Sequence, residues 1–136
     1  MIALRVLLAA LALSAVPVGA WAALAPRSFH ADFPGGGRHW VDRVGAYSEH
    51  LVTDVGAFYL AFALLCAWVA LRPARALVLP LACAWALFST IHLAWHASHL
   101  EAFTTGDAIA QTVSLAITLA AALAVIALAR RAGTRA

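Results

Sequence analysis

The chain has 136 residues, of which 65% are hydrophobic and only 11% are charged. This composition excludes an ordinary soluble domain and is typical of an integral membrane protein. The formal net charge is +3, and arginine supplies all nine basic residues. The arginines form no basic patch with interleaved aromatic residues, so we exclude a nucleic-acid partner.

Four stretches reach the roughly twenty apolar residues that a helix needs to cross a bilayer. They predict a single all-α domain over residues 1–136, an antiparallel bundle of four transmembrane helices. The predicted helices are 2–24, 51–71, 76–97 and 108–129. The longest connection, residues 25–50, is too short to bury a core of its own.

The first stretch has two interpretations. Arg5, an apolar run, Pro17, Gly19 and the sequence Ala20-Trp21-Ala22 together resemble a cleavable signal peptide. The apolar run continues past that point to Leu24, which favours an uncleaved helix, and a proline is tolerated inside a membrane helix.

The distribution of arginine predicts the orientation. One side holds Arg5, Arg72, Arg75, Arg130, Arg131 and Arg135, whereas Arg27, Arg38 and Arg43 share the other side with five acidic residues. By the positive-inside rule the arginine-rich side is cytoplasmic. We therefore expect both termini in the cytoplasm and a location in the bacterial inner membrane.

The outer connection combines Phe29, Phe33, Trp40 and Tyr47 with charged residues, which predicts a segment that lies along the headgroup layer and covers the bundle. His30 and His39 in this connection are interpreted as surface residues. The cysteines, Cys66 and Cys83, lack metal-ligand spacing, so we assign them packing roles only.

Polar residues gather at the outer ends of the last three spans. On the second span His50 and Asp54 lie one helical turn apart, and Ala57 and Ala61 extend their face with side chains small enough for another helix to approach. Glu49 points about 100° away from that face. The second span therefore offers a carboxylate and an imidazole to a shared site.

The third span carries three histidines on one face. His92, His96 and His99 follow an i, i+4, i+7 spacing, and His92 lies roughly 10 Å deeper than His99 at about 1.5 Å per residue. Ionisable side chains at such depth usually mark a site or a pathway.

The fourth span adds a polar stripe, because Asp107, Gln111, Ser114 and Thr118 share one face of an otherwise apolar helix. Unsatisfied polar groups are costly in hydrocarbon, so this face is expected to turn toward the bundle. Asp107 has a second interpretation as a favourable acid at the start of a helix.

These faces together predict an outward-facing transition-metal site for zinc, iron or copper. The predicted ligands are His50, Asp54, His92 and His96, with His99 as a further ligand. Gln111 and Ser114 are expected to hydrogen-bond to the imidazoles and fix their tautomers. Three or four ligands would leave a position for a water molecule.

Several alternatives remain open at this stage. The same residues could simply join helices or meet headgroups, and two histidines could instead hold a b-type haem. If the protein is an enzyme, metal-activated water would attack a lipid or a small amphiphile, with Glu49 or Asp54 carrying the proton. The competing class is a non-catalytic accessory or ligand-binding subunit that contacts a membrane-protein partner or another copy of itself.

The chain resembles a family of small four-helix membrane proteins from high-GC bacteria. This family has no assigned activity. The similar segments are 25–29, 32–35, 49–52, 54–57 and the histidine-bearing end of the third span. The resemblance covers most of the chain. The resemblance implies the fold and the membrane location, and it carries no catalytic role.

Overall fold

The computed structural model describes residues 2–133 and is helical, with no strand in that range. The long helices are α1 (Ile2–Leu24), α3 (Glu49–Leu71), α4 (Arg75–Ala97) and α5 (Thr105–Gly133), and a short helix, α2 (Pro26–Asp32), follows α1. All four long helices are long and apolar enough to cross a membrane. The prediction of four long apolar helices is therefore confirmed, and Arg135 lies outside the described residues.

Three short elements were not predicted. They are α2 and two 3-10 turns, Asp42–Val44 and Leu100–Ala102, all in the connections at one end of the bundle, which we name the outer end after its predicted orientation. Pro26 begins α2, where its missing N–H costs nothing because the first helical N–H groups have no partner in the helix. A run of three glycines with positive φ, Gly35 to Gly37, follows this helix and turns the chain back.

Each long helix has one exposed face and one face that packs in the core of the bundle. Large apolar side chains such as Leu13, Leu64, Ile91 and Ile117 are exposed on the outside, as expected for helices surrounded by a bilayer. The core contains residues from all four long helices, among them Leu8, Cys66, Val78 and Val125. Cys66 is buried there and Cys83 is exposed, and both are free thiols.

Helices α1 and α3 pack most intimately, through two glycines. A Cβ atom on Gly56 would lie 2.8 Å from the carbonyl carbon of Ala22 and closer still to the backbone nitrogen of Ala23. A Cβ atom on Gly19 would lie 2.9 Å from Leu60 Cγ. The predicted approach at Ala57 and Ala61 is wrong, since both are exposed and the contact uses the neighbouring face of α3.

Helices α3 and α4 are consecutive in the chain but touch mainly through long aromatic side chains. Phe62 and Trp85 have ring centroids 4.9 Å apart in an edge-to-face arrangement. Phe88 of α4 packs against Tyr59 and Phe58 of α3, at 5.6 Å and 5.7 Å. We call Phe58, Tyr59, Phe62, Trp85 and Phe88 the aromatic floor, because a cavity lies on its outer side.

Candidate functional site

A cavity of about 460 Å³ occupies the outer half of the bundle, and all four long helices and the outer connection contribute to its wall. Most of the wall is apolar or aromatic. The lining residues are Ser14, Val18, Phe29, Phe33, Trp40, Val41, Val44, Leu51, Val52, Val55, Tyr59, Trp85, Phe88, Ser89, His92, His96, Gln111, Ser114, Leu115 and Thr118.

The outer connection forms the roof of this cavity, as the sequence predicted. Phe29 is 5% exposed and packs against Phe33 with ring centroids 4.7 Å apart. Trp40 meets Phe33 edge-on at 6.2 Å. Together with Val41 and Val44, these rings cover the cavity at this end of the bundle.

Two groups of contacts hold the roof in place. Arg38 lies 3.5 Å from the Asp107 carboxylate at the start of α5. Inside the connection His30 is buried, with its Nε2 atom 2.9 Å from the Gly45 carbonyl oxygen and its Nδ1 atom 3.6 Å from Asp42 Oδ1. The interpretation of His30 as a surface residue is therefore wrong.

The signal for a buried His30 was local. His30 follows Phe29, and Pro26, four residues before His30, marks the first turn of a short helix. The ring of Tyr47 packs edge-on against the His30 ring, with centroids 5.4 Å apart. Desolvation and the nearby Glu49 carboxylate raise the pKa of Tyr47, because both disfavour the phenolate.

The polar end of the cavity is built from His92, His96 and Gln111. His96 Nδ1 and Gln111 Oε1 are 2.7 Å apart, which joins α4 to α5 by a hydrogen bond. Gln111 is only 2% exposed, and its Nε2 atom is buried without a hydrogen-bond partner. The polar face of α5 therefore turns toward the α4 histidines, as predicted, and the Gln111 side chain bonds to the His96 ring.

Three hydroxyl groups in the wall donate to backbone carbonyls of their own helices. Ser114 Oγ donates to the Gln111 carbonyl at 2.9 Å, and Thr118 Oγ1 donates to the Leu115 carbonyl at 2.8 Å. Ser14 Oγ does the same with Leu11 at 2.9 Å. Ser114 thus lines the cavity without the predicted bond to an imidazole.

The rings of His92 and His96 stack face to face, with centroids 4.8 Å apart and planes inclined by 15°. The lone pair of an imidazole nitrogen lies in the ring plane, so one metal ion bound by both rings must lie in both planes. Two nearly parallel planes meet far from the rings. The pair therefore doesn't present its nitrogens to a common point, and a shared ion would require one ring to rotate.

The other predicted ligands lie elsewhere. His50 Nε2 and Asp54 Oδ2 pair with each other at 3.4 Å, and their side chains are 82% and 61% exposed. Each immediately precedes a cavity residue, Leu51 or Val55, and is rotated about 100° around the helix from it. This helical phase explains why α3 turns apolar residues, and not this pair, toward the cavity.

His99 and Glu49 also lie outside the cavity wall. The His99 ring stacks on Trp95 at 4.1 Å, and its Nδ1 atom is 2.7 Å from the Trp95 carbonyl oxygen. Glu49 Oε2 accepts a long hydrogen bond of 3.4 Å from the Tyr47 hydroxyl. Across residues 2–133, no three His, Cys, Asp or Glu side chains are grouped so that they could hold a metal ion.

Comparison of the chain with protein-family models, curated proteins and solved structures gives no match. The resemblance to the four-helix family therefore stays a prediction, and the case for a function comes from the cavity itself.

Proposed function

We propose that this protein is a membrane-embedded binding protein whose cavity receives a small, mostly apolar molecule. The observation that carries the proposal is the 460 Å³ cavity, whose wall is largely aromatic and aliphatic with a small number of polar side chains, among them the bonded pair His96 and Gln111. Ligand sites in proteins have this character: concave, mostly apolar, with a small number of placed polar groups.

The proposed route of entry runs between α3 and α4 from the outer half of the bilayer. Leu51 and Val55 of α3 line the cavity, yet they are 62% and 45% exposed. The two helices are bridged by side chains at the aromatic floor, whereas α1 and α3 meet backbone to backbone at Gly56. A molecule dissolved in the lipid could therefore reach the polar end without crossing the roof.

The orientation proposed for this function is an antiparallel bundle in the bacterial inner membrane, with both termini cytoplasmic. It rests on the arginine distribution and places the cavity in the periplasmic half. Single cysteines introduced for Glu101 and Ala74, both exposed in connections, test this orientation in a background in which Cys66 and Cys83 are replaced by alanine. A membrane-impermeant maleimide should label Glu101→Cys in intact spheroplasts and label Ala74→Cys only after lysis, and the reverse pattern would invert the topology.

A direct test of the binding function fills the cavity at its exposed side. Val55→Trp places a large ring in the wall, and Val113→Trp is the matched control, since Val113 is 51% exposed and lies outside the lining set. Native mass spectrometry of the purified protein should show a bound small molecule in wild type and in Val113→Trp. Val55→Trp should lose it, and equal occupancy in all three proteins would contradict the proposal.

A metal ion is the second candidate, and one observation favours it. Metal-binding histidines usually donate their other ring N–H to an acceptor, and Gln111 Oε1 accepts from His96 Nδ1 in this way. His92 would join His96 after a rotation of one ring. Elemental analysis of purified wild type, His92→Ala and Asp54→Ala tests zinc, iron and copper, and a Soret band would identify haem.

A further inference from the structure

Two hydroxyl groups at the inner end of the cavity have no hydrogen-bond partner. Five residues of the wall carry a hydroxyl, and three of them donate to their own helices, namely Ser14, Ser114 and Thr118. The other two, Ser89 and Tyr59, form no hydrogen bond within residues 2–133. Tyr59 belongs to the aromatic floor, and Ser89 directly follows the floor residue Phe88, so both hydroxyls lie at the floor.

Ser89 is the more informative of the two, because it is almost wholly enclosed. The residue is 4% exposed and lines the cavity, so its small accessible surface opens on the cavity. Serine and threonine inside a helix often donate to the carbonyl one turn earlier. The next residue, Thr90, does this with Ala86 at 2.7 Å, whereas Ser89 leaves its donor unused.

The depth of Ser89 makes an unused donor unfavourable. Ser89 lies just over two helical turns inside Ala97, the outer end of α4, which corresponds to about 12 Å. This level is near the middle of a hydrocarbon core of about 30 Å, where lipid headgroups cannot supply a partner. A molecule whose polar group reaches the floor would therefore gain a hydrogen bond that the protein leaves open.

The composition of the wall restricts that polar group to an uncharged one. None of the lining residues among positions 2–133 is Arg, Lys, Asp or Glu, so a carboxylate or an ammonium group would be buried without a counter-charge. A carbonyl oxygen suits the Ser89 donor, because it accepts hydrogen bonds and brings no donor that would need a partner of its own.

We propose that the cavity takes an uncharged apolar molecule that carries a carbonyl group, as a long-chain ketone or ester does, and that Ser89 Oγ donates to the carbonyl oxygen. The apolar body lies against Trp85 and Phe88 and extends toward Val55, on the side where the cavity meets the gap between α3 and α4. This inference rests on the proposed binding function and deepens it by naming the ligand class and the residue that selects it.

The experiment compares a ketone with a hydrocarbon of the same shape. The probes are 2-nonanone and 2-methyl-1-nonene, in which a methylene group replaces the carbonyl oxygen. Each is titrated into the full-length protein in detergent, with concentration expressed as mole fraction in the micelle. Fluorescence of Trp40 and Trp85, which line the cavity, is the readout. The variant is Ser89→Ala, and Ser114→Ala is the matched control, because the Ser114 hydroxyl lines the same cavity but donates to its own helix.

Ser89→Ala should weaken the binding of 2-nonanone about fivefold, which corresponds to about 1 kcal/mol, and change the binding of 2-methyl-1-nonene less than about twofold. Ser114→Ala should leave both affinities as they are in wild type. Binding of the hydrocarbon shows that the cavity is intact in each variant. Equal changes for the two probes in Ser89→Ala, or unchanged binding of the ketone, would overturn the inference.

Infrared spectroscopy tests the same contact in wild type, independently of the folding of any variant. A hydrogen bond lowers the carbonyl stretching frequency, so bound 2-nonanone should absorb below its frequency in hexane. The absence of this shift, or its persistence in Ser89→Ala, would overturn the inference and leave the proposed binding function standing. Saturable binding of neither probe would contradict the proposed function itself.

Discussion

His96 of α4 and Gln111 of α5 are joined by a hydrogen bond of 2.7 Å inside a cavity wall that is otherwise mostly apolar. The bond links two helices and leaves Gln111 Nε2 buried without a hydrogen-bond partner. The same contact therefore stabilises the outer half of the bundle and gives the cavity its only interhelical polar pair among the described residues.

The energetic coupling of this pair can be measured. His96→Phe leaves the Gln111 amide wholly unpaired at a site that is 2% exposed, which should lower the free energy of unfolding by about 1–3 kcal/mol. Gln111→Leu should cost less, since His96 faces the cavity. Unfolding in mixed micelles should show the double variant to be more stable than additivity predicts by about 0.5–1.5 kcal/mol. Strict additivity would show that the bond contributes nothing.

The contact between α1 and α3 predicts that alanine substitutions at Gly56 and Gly106 differ sharply in their effect on stability. Gly56→Ala forces a methyl group into the backbone of Ala22 and Ala23 and should cost about 1–3 kcal/mol of stability. Gly106→Ala is the matched control, because nothing lies within 4 Å of its Cβ position in the first turn of α5. It should be neutral or stabilise the protein by about 0.4–1 kcal/mol. Thermal unfolding checks both, and a tolerated Gly56→Ala would contradict the close approach.

The roof is tied to α5 by Asp107, which predicts a change in protease sensitivity. Asp107→Asn keeps the polar contacts with Thr104, at 3.0 Å and 3.2 Å, but removes the charge that faces Arg38. Because this ion pair is partly exposed, global stability should change by less than about 1 kcal/mol. Trypsin should nevertheless cleave after Arg38 and Arg43 severalfold faster. The exposed Glu101 provides the control, since Glu101→Gln should leave the cleavage rate unchanged.

The pair of His50 and Asp54 should be dispensable for the cavity. An exposed i, i+4 ion pair contributes about 0.3–0.5 kcal/mol, so the double variant His50→Ala, Asp54→Ala should unfold almost as wild type does. Native mass spectrometry should show the same bound small molecule in this variant as in wild type. Loss of bound metal or of that molecule in this variant would restore the predicted ligand role of the two residues.

The sequence predicted the spans well because long apolar runs identify membrane helices directly. The polar stripe of α5 was equally informative, since the spacing from Gln111 to Thr118 identifies one helix face and a polar face avoids lipid. Helix α2 was missed because seven residues give too few turns for a periodic pattern.

Side-chain convergence between helices was harder to predict, because it depends on the rotation of each helix about its axis. A difference of one residue separates His50 from Leu51, and that step of about 100° decides which of them lines the cavity. The same step separates the expected contact at Ala57 from the observed one at Gly56. Sequence spacing identifies the faces of each helix, but it doesn't determine which neighbour each face meets.

Helix α3 contacts α1 and α4 in different ways, and the two contacts should differ in flexibility. At Gly56 backbone rests on backbone, so separation of α1 from α3 would break the whole contact at once. At Phe88 the neighbouring helix is reached only through ring side chains, which can swing about their own bonds while the main chain stays still. Fluctuations that widen the bundle would therefore occur mainly between α3 and α4. The bundle would open there toward the bilayer while α1 and α3 stay packed together.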